Sequence, residues 1–159
     1  MKKAELLSKI SEKERELNNL RDDYGKILQS EKKEVLKSNS EDFKKSLYLL
    51  GFEFESSSQT TEQYKEFHRV FRNELKKVLK PYIKELDYSK TNHFDISEFI
   101  KLNDDRIFYF SISDLRWSKD SLLIRTAENF KDYSGGSNDY VKIDENFKES
   151  LLNKLGVLK

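Results

Sequence analysis

The clearest pattern along the chain is an alternation of apolar and polar positions between residues 93 and 127. Successive residues of a strand point to opposite faces of a sheet, so alternation of this kind predicts β-strands. In the segment 106–113, Tyr109 and Ser111 fall on one face while Phe108 and Phe110 fall on the other. The whole pattern predicts strands over residues 93–102, 106–113 and 121–127, and a shorter strand over residues 140–143.

The predicted strands are separated by short polar segments at residues 103–105 and 117–120. Connections this short allow neighbouring strands to pair only in antiparallel fashion, because a parallel pair needs a crossover of a dozen residues or more. We therefore expect a small antiparallel sheet of three to four strands. An irregular step after Ile96 predicts a β-bulge in the first strand.

The N-terminal residues have a different period, with apolar side chains three or four residues apart. This spacing predicts one long helix, residues 4–37, with a narrow coiled-coil seam. Its apolar members are Leu6, Ile10, Leu17, Leu20, Tyr24 and Ile27. Such a helix either packs on the helices that follow it or projects and pairs with a second copy as a homodimer.

Further helical spacing predicts helices over residues 41–50, 61–86 and 145–155, the second with the broadest apolar face and a kink or restart at Pro81. Ser38, Asn39 and Ser40 are candidate N-caps for the first of these, Thr60 or Thr61 for the second, and Asp144 for the third. Residues 52–55 alternate and predict a brief extra strand. The sequence thus predicts an α+β protein with a helical arm over residues 1–40 and an α+β domain over residues 41–159.

Composition excludes several classes of protein. The 159 residues include no cysteine, which excludes disulfides, thiolate zinc sites and a cysteine nucleophile. Because 30 basic residues balance 29 acidic ones, for a net charge of +1, we expect no general attraction to nucleic acid or to anionic membranes. The sequence has no apolar run long enough to span a bilayer and no secretory signal, so we expect no membrane partner and a location in the cytoplasm.

Few residues suit catalysis. His68 lies beside the apolar stripe of a predicted helix, where a packed boundary residue is the simpler interpretation. His93 and Asp95 form a His-x-Asp pair that could begin a metal site, although no third ligand is apparent. No nucleophile elbow, phosphate-binding loop or dinucleotide fingerprint occurs. We therefore expect a protein that is not an enzyme and that holds no metal and no cofactor.

Two connections carry residue types that are common in protein interfaces: the turn before the predicted strand 121–127, and the glycine loop between that strand and the strand over residues 140–143. Tryptophan and arginine are enriched in binding hot spots, and a loop that mixes tyrosine with asparagine suits recognition. Each feature has alternatives. For the tryptophan, the alternative is a side chain folded over the sheet edge. For the glycines, one alternative is a purely flexible connection, and another is a loop that presents backbone amides to an anion. The predicted partner-binding residues are Arg116, Trp117, Lys131, Asp132, Tyr133, Gly135, Gly136, Asn138 and Asp139.

The segments FYFSISDLRW and LLIRTAENFKDYSGGSNDY, behind a lysine-rich helical arm, resemble small proteins of Gram-positive phages and mobile genetic elements. Within that group the chain is similar to the type II-A anti-CRISPR proteins, above all the staphylococcal ones, with residues 106–140 the most distinctive part. The resemblance implies a stoichiometric inhibitor that binds Cas9 or the Cas9–guide RNA complex in the host bacterial cytoplasm. The balanced charge does not suit mimicry of DNA, so blocking a nuclease domain or its movement is the expected route to evading this host defence.

Two other functions are compatible with the residues. Lysines on the arm, with Arg125 and Lys131 near the glycine loop, would suit a nucleic-acid-binding accessory protein of a mobile element. The coiled-coil seam would suit a self-assembling structural protein.

Overall fold

The computed structural model describes residues 2–38, 43–55, 61–88 and 94–158. The chain divides into two compact units, Met1–Ser38 and Asn39–Lys159. The predicted positions His93, Asn39, Ser40 and Thr60 lie outside the described residues.

The first unit is a single uninterrupted helix, α1, over Lys3–Lys37. With a rise of 1.5 Å per residue, a helix of 35 residues is about 52 Å long. The helix continues through Gly25, where an added Cβ would meet no atom within 4 Å. It ends at Ser38, whose backbone amide donates to the carbonyls of Glu34 and Val35.

The second unit is α+β, as predicted, with an antiparallel sheet whose strands lie in chain order. There are five strands among the described residues, one more than the largest predicted number. The helices are α2 (Phe43–Leu50), α3 (Glu62–Leu79) and α4 (Phe147–Leu155). The strands are β1 (Ile83–Tyr88), β2 (Ile96–Leu102), β3 (Ile107–Ile112), β4 (Ser121–Ala127) and β5 (Asp139–Lys142).

The three helices of this unit pack together around aromatic side chains. The rings of Phe67 and Phe71 in α3 stack with centroids 5.2 Å apart, and Phe71 lies 5.5 Å from Phe147 of α4. Phe43 of α2 stacks on Phe147 at 5.4 Å. Phe67 and Phe71 are 0% exposed and Phe147 is 2% exposed, and burying a side chain of this size stabilises a fold by about 1.5–3 kcal/mol.

Helix α3 packs on the sheet, and a buried ion pair joins the helix to strand β2. The guanidinium of Arg72 donates to the carboxylate of Glu98, which is 1% exposed and belongs to β2. Burial raises the pKa of Glu98, whereas the nearby charges of Arg72 and Lys76 lower it. Because Ile96 and Ile100 share a strand face with Glu98, this face of the sheet is the one that meets the helices.

The largest correction to the sequence prediction concerns residues 61–86, which were expected to be one helix. The helix ends at Leu79, and a new strand, β1, begins at Ile83. Pro81 cannot donate a backbone hydrogen bond, and the following turn is held by Asn103, whose side chain donates to the Pro81 carbonyl and whose amide donates to Tyr82.

The remaining differences are smaller. Strand β2 begins at Ile96, and its register with β3 is regular, so the irregular step expected after Ile96 reflects the strand's start and not a bulge. Residues 52–55 form no strand; Phe54 is instead buried 6.1 Å from the ring of Phe67. Thr61 caps α3 as predicted, whereas the N-cap of α4 is Asn146 and not Asp144.

A candidate protein-binding surface

The face of the sheet opposite the helices carries the candidate site. Strand register places Phe99, Tyr109 and Arg125 side by side on this face, followed along the strands by Ser111 and Leu123. Tyr140 of β5 pairs with Leu123 and extends the row to the sheet edge. The face has two parts, because a loop covers the first group and leaves Leu123 and Tyr140 in contact with solvent.

The covering loop follows β4 and is fixed to the sheet by Arg125, a residue that is itself 5% exposed. The Arg125 guanidinium donates to the carbonyl oxygens of Gly135 and Asp132, both at 2.7 Å. It also lies 4.7 Å from the centre of the Tyr109 ring. Arg125 thus acts as a structural anchor and is not part of an exposed cationic patch.

The same loop is organised from within by the carboxylate of Asp132. This carboxylate accepts hydrogen bonds from the backbone amides of Glu128 at 2.9 Å, Gly135 at 2.7 Å and Ser134 at 3.3 Å. These hydrogen bonds lower the pKa of Asp132, those from Glu128 and Gly135 most. The amides of Ser134 and Gly135 therefore bind a carboxylate of their own chain and are not presented to an external anion.

Gly136 is required by the way this loop approaches β4. Its φ is +74°, and an added Cβ would lie 2.5 Å from the backbone oxygen of Thr126. Only glycine adopts this conformation at such close approach without strain. Tyr133 completes the cover, with its ring 5.2 Å from that of Phe99 and 5.6 Å from that of Tyr109.

The open part of the face is a groove of about 360 Å³ at the other end of β3 and β4. Its apolar and aromatic lining consists of Phe94, Ile112, Trp117, Leu123 and Tyr140. Ser113, Ser118, Asp120 and Ser121 add a polar rim, and Ser111, which is 3% exposed, also lines the groove. Trp117 is 79% exposed, Tyr140 56% and Phe94 40%. We call these residues the Trp117–Tyr140 groove.

Trp117 is held in place by the turn that carries it. Leu115 is buried beneath the turn, and its amide donates to the Asp95 carboxylate at 2.7 Å. The carbonyl of Asp114 accepts from the amides of Trp117 and Ser118 at 3.1 Å and 2.8 Å. The backbone that carries the exposed Trp117 ring is therefore fixed by buried contacts. This lowers the conformational entropy that is lost when the ring is ordered against a partner.

The groove carries little positive charge. Asp120 is the only charged residue among the described residues that line it. Arg116 lies 5.6 Å from the centre of the Trp117 ring, but its guanidinium also donates to the Asp114 carboxylate at 2.8 Å. These hydrogen bonds raise the pKa of Arg116 and lower that of Asp114. The surface is suited to another protein more than to a phosphate backbone, which is bound through unpaired lysine and arginine side chains.

The structure brings only some of the predicted partner-binding residues to this groove. Trp117 lines it, Arg116 lies against Trp117, and Asp139 precedes Tyr140 in β5 and pairs with Lys154 at 2.7 Å. The predicted residues in the loop lie outside the groove. Of these, Lys131, Tyr133, Gly136 and Asn138 are exposed, and Asp132 and Gly135 are turned towards Arg125.

Sequence reasoning missed Phe94, Leu123 and Tyr140 as members of the surface. A signal for two of them was present, because alternation along the predicted strands puts Ser111, Leu123 and Tyr140 on the face that carries Tyr109. The alternation does not show how far the covering loop extends over this face. Without that information, the open and covered parts of the face cannot be told apart.

The described residues include no group of three or more side chains that could hold a metal ion. His68 stacks on Tyr64 at 5.5 Å, and burial lowers its pKa to about 4, so it is neutral near pH 7. Asp95 is buried and its pKa is raised by burial, but its Oδ2 is used by Leu115. His68 and Asp95 both contact Tyr64, whose hydroxyl donates to the Asp95 carbonyl oxygen at 2.6 Å, but among the described residues they belong to no group of three metal-ligating side chains.

Comparisons with protein-family models, curated protein sequences and solved structures found no match to this chain. None of the helices in the described part of the chain is both long enough and apolar enough to cross a membrane.

Proposed function

We propose that this chain is a non-enzymatic protein-binding inhibitor that docks through the Trp117–Tyr140 groove. The observation that carries the proposal is the exposure of three aromatic side chains, Phe94, Trp117 and Tyr140, around one groove on a rigid sheet. Aromatic residues surrounded by a polar rim are characteristic of the energetically dominant part of protein interfaces.

Cas9 is the proposed target, and its support is the resemblance of residues 106–140 to type II-A anti-CRISPR proteins. All of the residues that line the groove except Phe94 lie within this segment, from the end of β3 to the start of β5. The described residues that line the groove include no basic side chain, which favours a protein surface of Cas9 over the guide RNA or the DNA. We propose that binding covers a nuclease domain or blocks its movement, so that bound target DNA is not cleaved.

The test combines a binding measurement with a DNA cleavage assay. The wild-type chain should bind the Cas9–guide RNA complex at a stoichiometry of one groove per Cas9 and should reduce cleavage in proportion to the fraction bound. Trp117→Ala, made together with Tyr140→Ser, should weaken both effects by a hundredfold or more, since truncating a hot-spot residue costs 2 kcal/mol or more.

A matched control is available in the helical layer of the same unit. Tyr48 of α2 is 63% exposed, which is similar to Trp117 and Tyr140, but it does not line the groove. Tyr48→Ala should therefore leave binding and inhibition unchanged. The proposal for Cas9 fails if the wild-type chain neither binds Cas9 nor slows cleavage, and the assignment of the groove fails if Tyr48→Ala and the double variant behave alike.

A further inference from the structure

Helix α1 carries an apolar stripe that its own unit leaves uncovered. The stripe consists of exposed side chains at Leu6, Ile10, Leu17, Leu20, Tyr24 and Ile27. With Lys13 included, the spacing alternates between three and four residues, which is the heptad pattern of a left-handed coiled coil. In heptad terms Ile10, Leu17 and Tyr24 are a positions, and the remaining members are d positions.

The charged residues beside this stripe are complementary between two copies that run in the same direction. In a parallel coiled coil, a g residue faces the e residue five positions later in the partner helix, and such pairs set orientation. Here Lys9 would face Glu14 of the second copy, and Glu16 would face Arg21. Twofold symmetry makes each of these attractive pairs twice.

The opposite orientation has a poorer match. Antiparallel pairing puts g positions against g positions and e positions against e positions. In the two registers that best superpose the apolar stripe, it brings Glu16 against Glu16 and Glu14 against Glu14, or Glu16 against Asp23. These repulsive pairs offset the attractive pairs that the same registers form, Lys9 with Asp23 or Glu14 with Arg21. The charge pattern therefore favours the parallel orientation.

Two features limit the strength of the pairing. Lys13 occupies a d position, where a charged side chain replaces an apolar one at a cost in stability. Its amine forms an ion pair with Glu16 at 3.2 Å on the same helix, towards the g side of the seam. Glu31 and Glu34 occupy the next two seam positions, so the apolar seam ends after Ile27.

From this pattern we infer that α1 pairs with α1 of a second copy of the chain as a parallel, in-register, two-stranded coiled coil. The contact runs from Leu6 to Ile27, or about 32 Å of helix. It forms and dissociates with protein concentration. The inference goes beyond the proposed function, because one groove and one copy suffice for inhibition.

Disulfide trapping in the full-length chain tests orientation and register directly, because the natural chain has no cysteine. Leu20→Cys puts one thiol at a d position, and the two introduced thiols face each other only in a parallel in-register pair. Ser8→Cys is the matched control, since Ser8 is an f position on the opposite side of the helix. Mild oxidation should convert the Leu20→Cys variant to a covalent dimer at least tenfold faster than the control; equal rates would overturn the inference.

Sedimentation equilibrium on variants without a thiol tests the charge pairing. Glu14→Lys should weaken dimerisation on the order of tenfold, because it turns two attractive pairs into repulsive ones. Adding Lys9→Glu to this variant should restore the wild-type affinity. Gly25→Ala should strengthen dimerisation, because it favours the helix at a site where the new methyl group meets no atom. A wild-type chain that stays monomeric at all concentrations, or a double variant no tighter than Glu14→Lys, would overturn the inference whether or not Cas9 is bound.

Discussion

Removing Arg72 is the perturbation of the sheet unit whose cost can be worked out most directly. Glu98 is 1% exposed, and the Arg72 guanidinium that donates to it comes from the helix packed on its strand. Arg72→Met keeps most of the packing of the side-chain stem but leaves a carboxylate buried without that partner. Breaking one side of a buried ion pair typically costs 3–5 kcal/mol. Because Lys76 also attracts Glu98, we expect the lower end of this range, about 3 kcal/mol near pH 8.

The sign of the pH dependence follows from the pKa of Glu98. Burial already raises this pKa, and losing Arg72 removes a charge that lowers it, so the pKa rises further in the variant. A carboxyl whose folded-state pKa is raised contributes stability below its unfolded-state pKa and loses that contribution as the pH rises through the folded-state value. Arg72→Met should therefore be less destabilised at pH 5 than at pH 8.

Urea unfolding followed by near-ultraviolet circular dichroism measures this cost, because the signal reports the aromatic side chains of the sheet unit more than α1. The control is Arg72→Met combined with Glu98→Leu, which removes both charges and should recover most of the lost stability. A loss below about 1 kcal/mol for Arg72→Met at pH 8, or a double variant no more stable than the single one, would refute this interpretation of the ion pair.

Three further predictions concern single residues. The free energy of unfolding of the wild-type protein should fall relative to that of His68→Gln as the pH drops from about 6.5 towards 4. Burial lowers the pKa of His68 in the folded protein to about 4, so the unfolded chain takes up the proton first. A constant difference between the two proteins would contradict this. Gly136→Ala should destabilise the protein by about 1–3 kcal/mol in a thermal unfolding experiment, because φ is +74° and the new methyl group would meet the Thr126 carbonyl; an unchanged melting temperature would contradict it. Asp95→Ala should cost about 1–3 kcal/mol in urea unfolding, because the buried amide of Leu115 loses its acceptor, and a cost near zero would show that the amide finds another partner.

Strand and helix positions in this protein follow closely from local sequence patterns. Residues 107–112 are a strand because aromatic and β-branched side chains lie on both faces, and residues 121–127 are a strand because a short apolar run is bounded by turn residues. The exception is β1, in which Ile83 and Leu86 are three residues apart, a spacing that predicts a helix and not a strand. In the strand, a register shift between Ile83 and Glu85 places both residues opposite one face of β2, where they pair with Leu102 and Ile100. Only pairing with β2 decides between helix and strand, and that contact is not visible in a local pattern.

The candidate surface was less predictable than the fold. Trp117 could be identified from its residue type and its place between two strands. The role of Asp132 could not, because its three hydrogen bonds to backbone amides arise only when the loop folds back on itself. The same folding buries the charge of Arg125, which as a sequence feature suggested a cationic site near the glycines. Long-range contacts of this kind decide which polar residues serve the fold and which remain available to a partner.

The most direct test of the proposed function is hydrogen exchange of the full-length chain with and without the Cas9–guide RNA complex. Binding through the Trp117–Tyr140 groove should slow the exchange of backbone amides at the end of β3, in the turn that carries Trp117 and in β5. Exchange in α3, which lies on the other face of the sheet, should not change. Protection of α3 with no protection at the groove, or no change anywhere in the presence of the complex, would contradict the proposal.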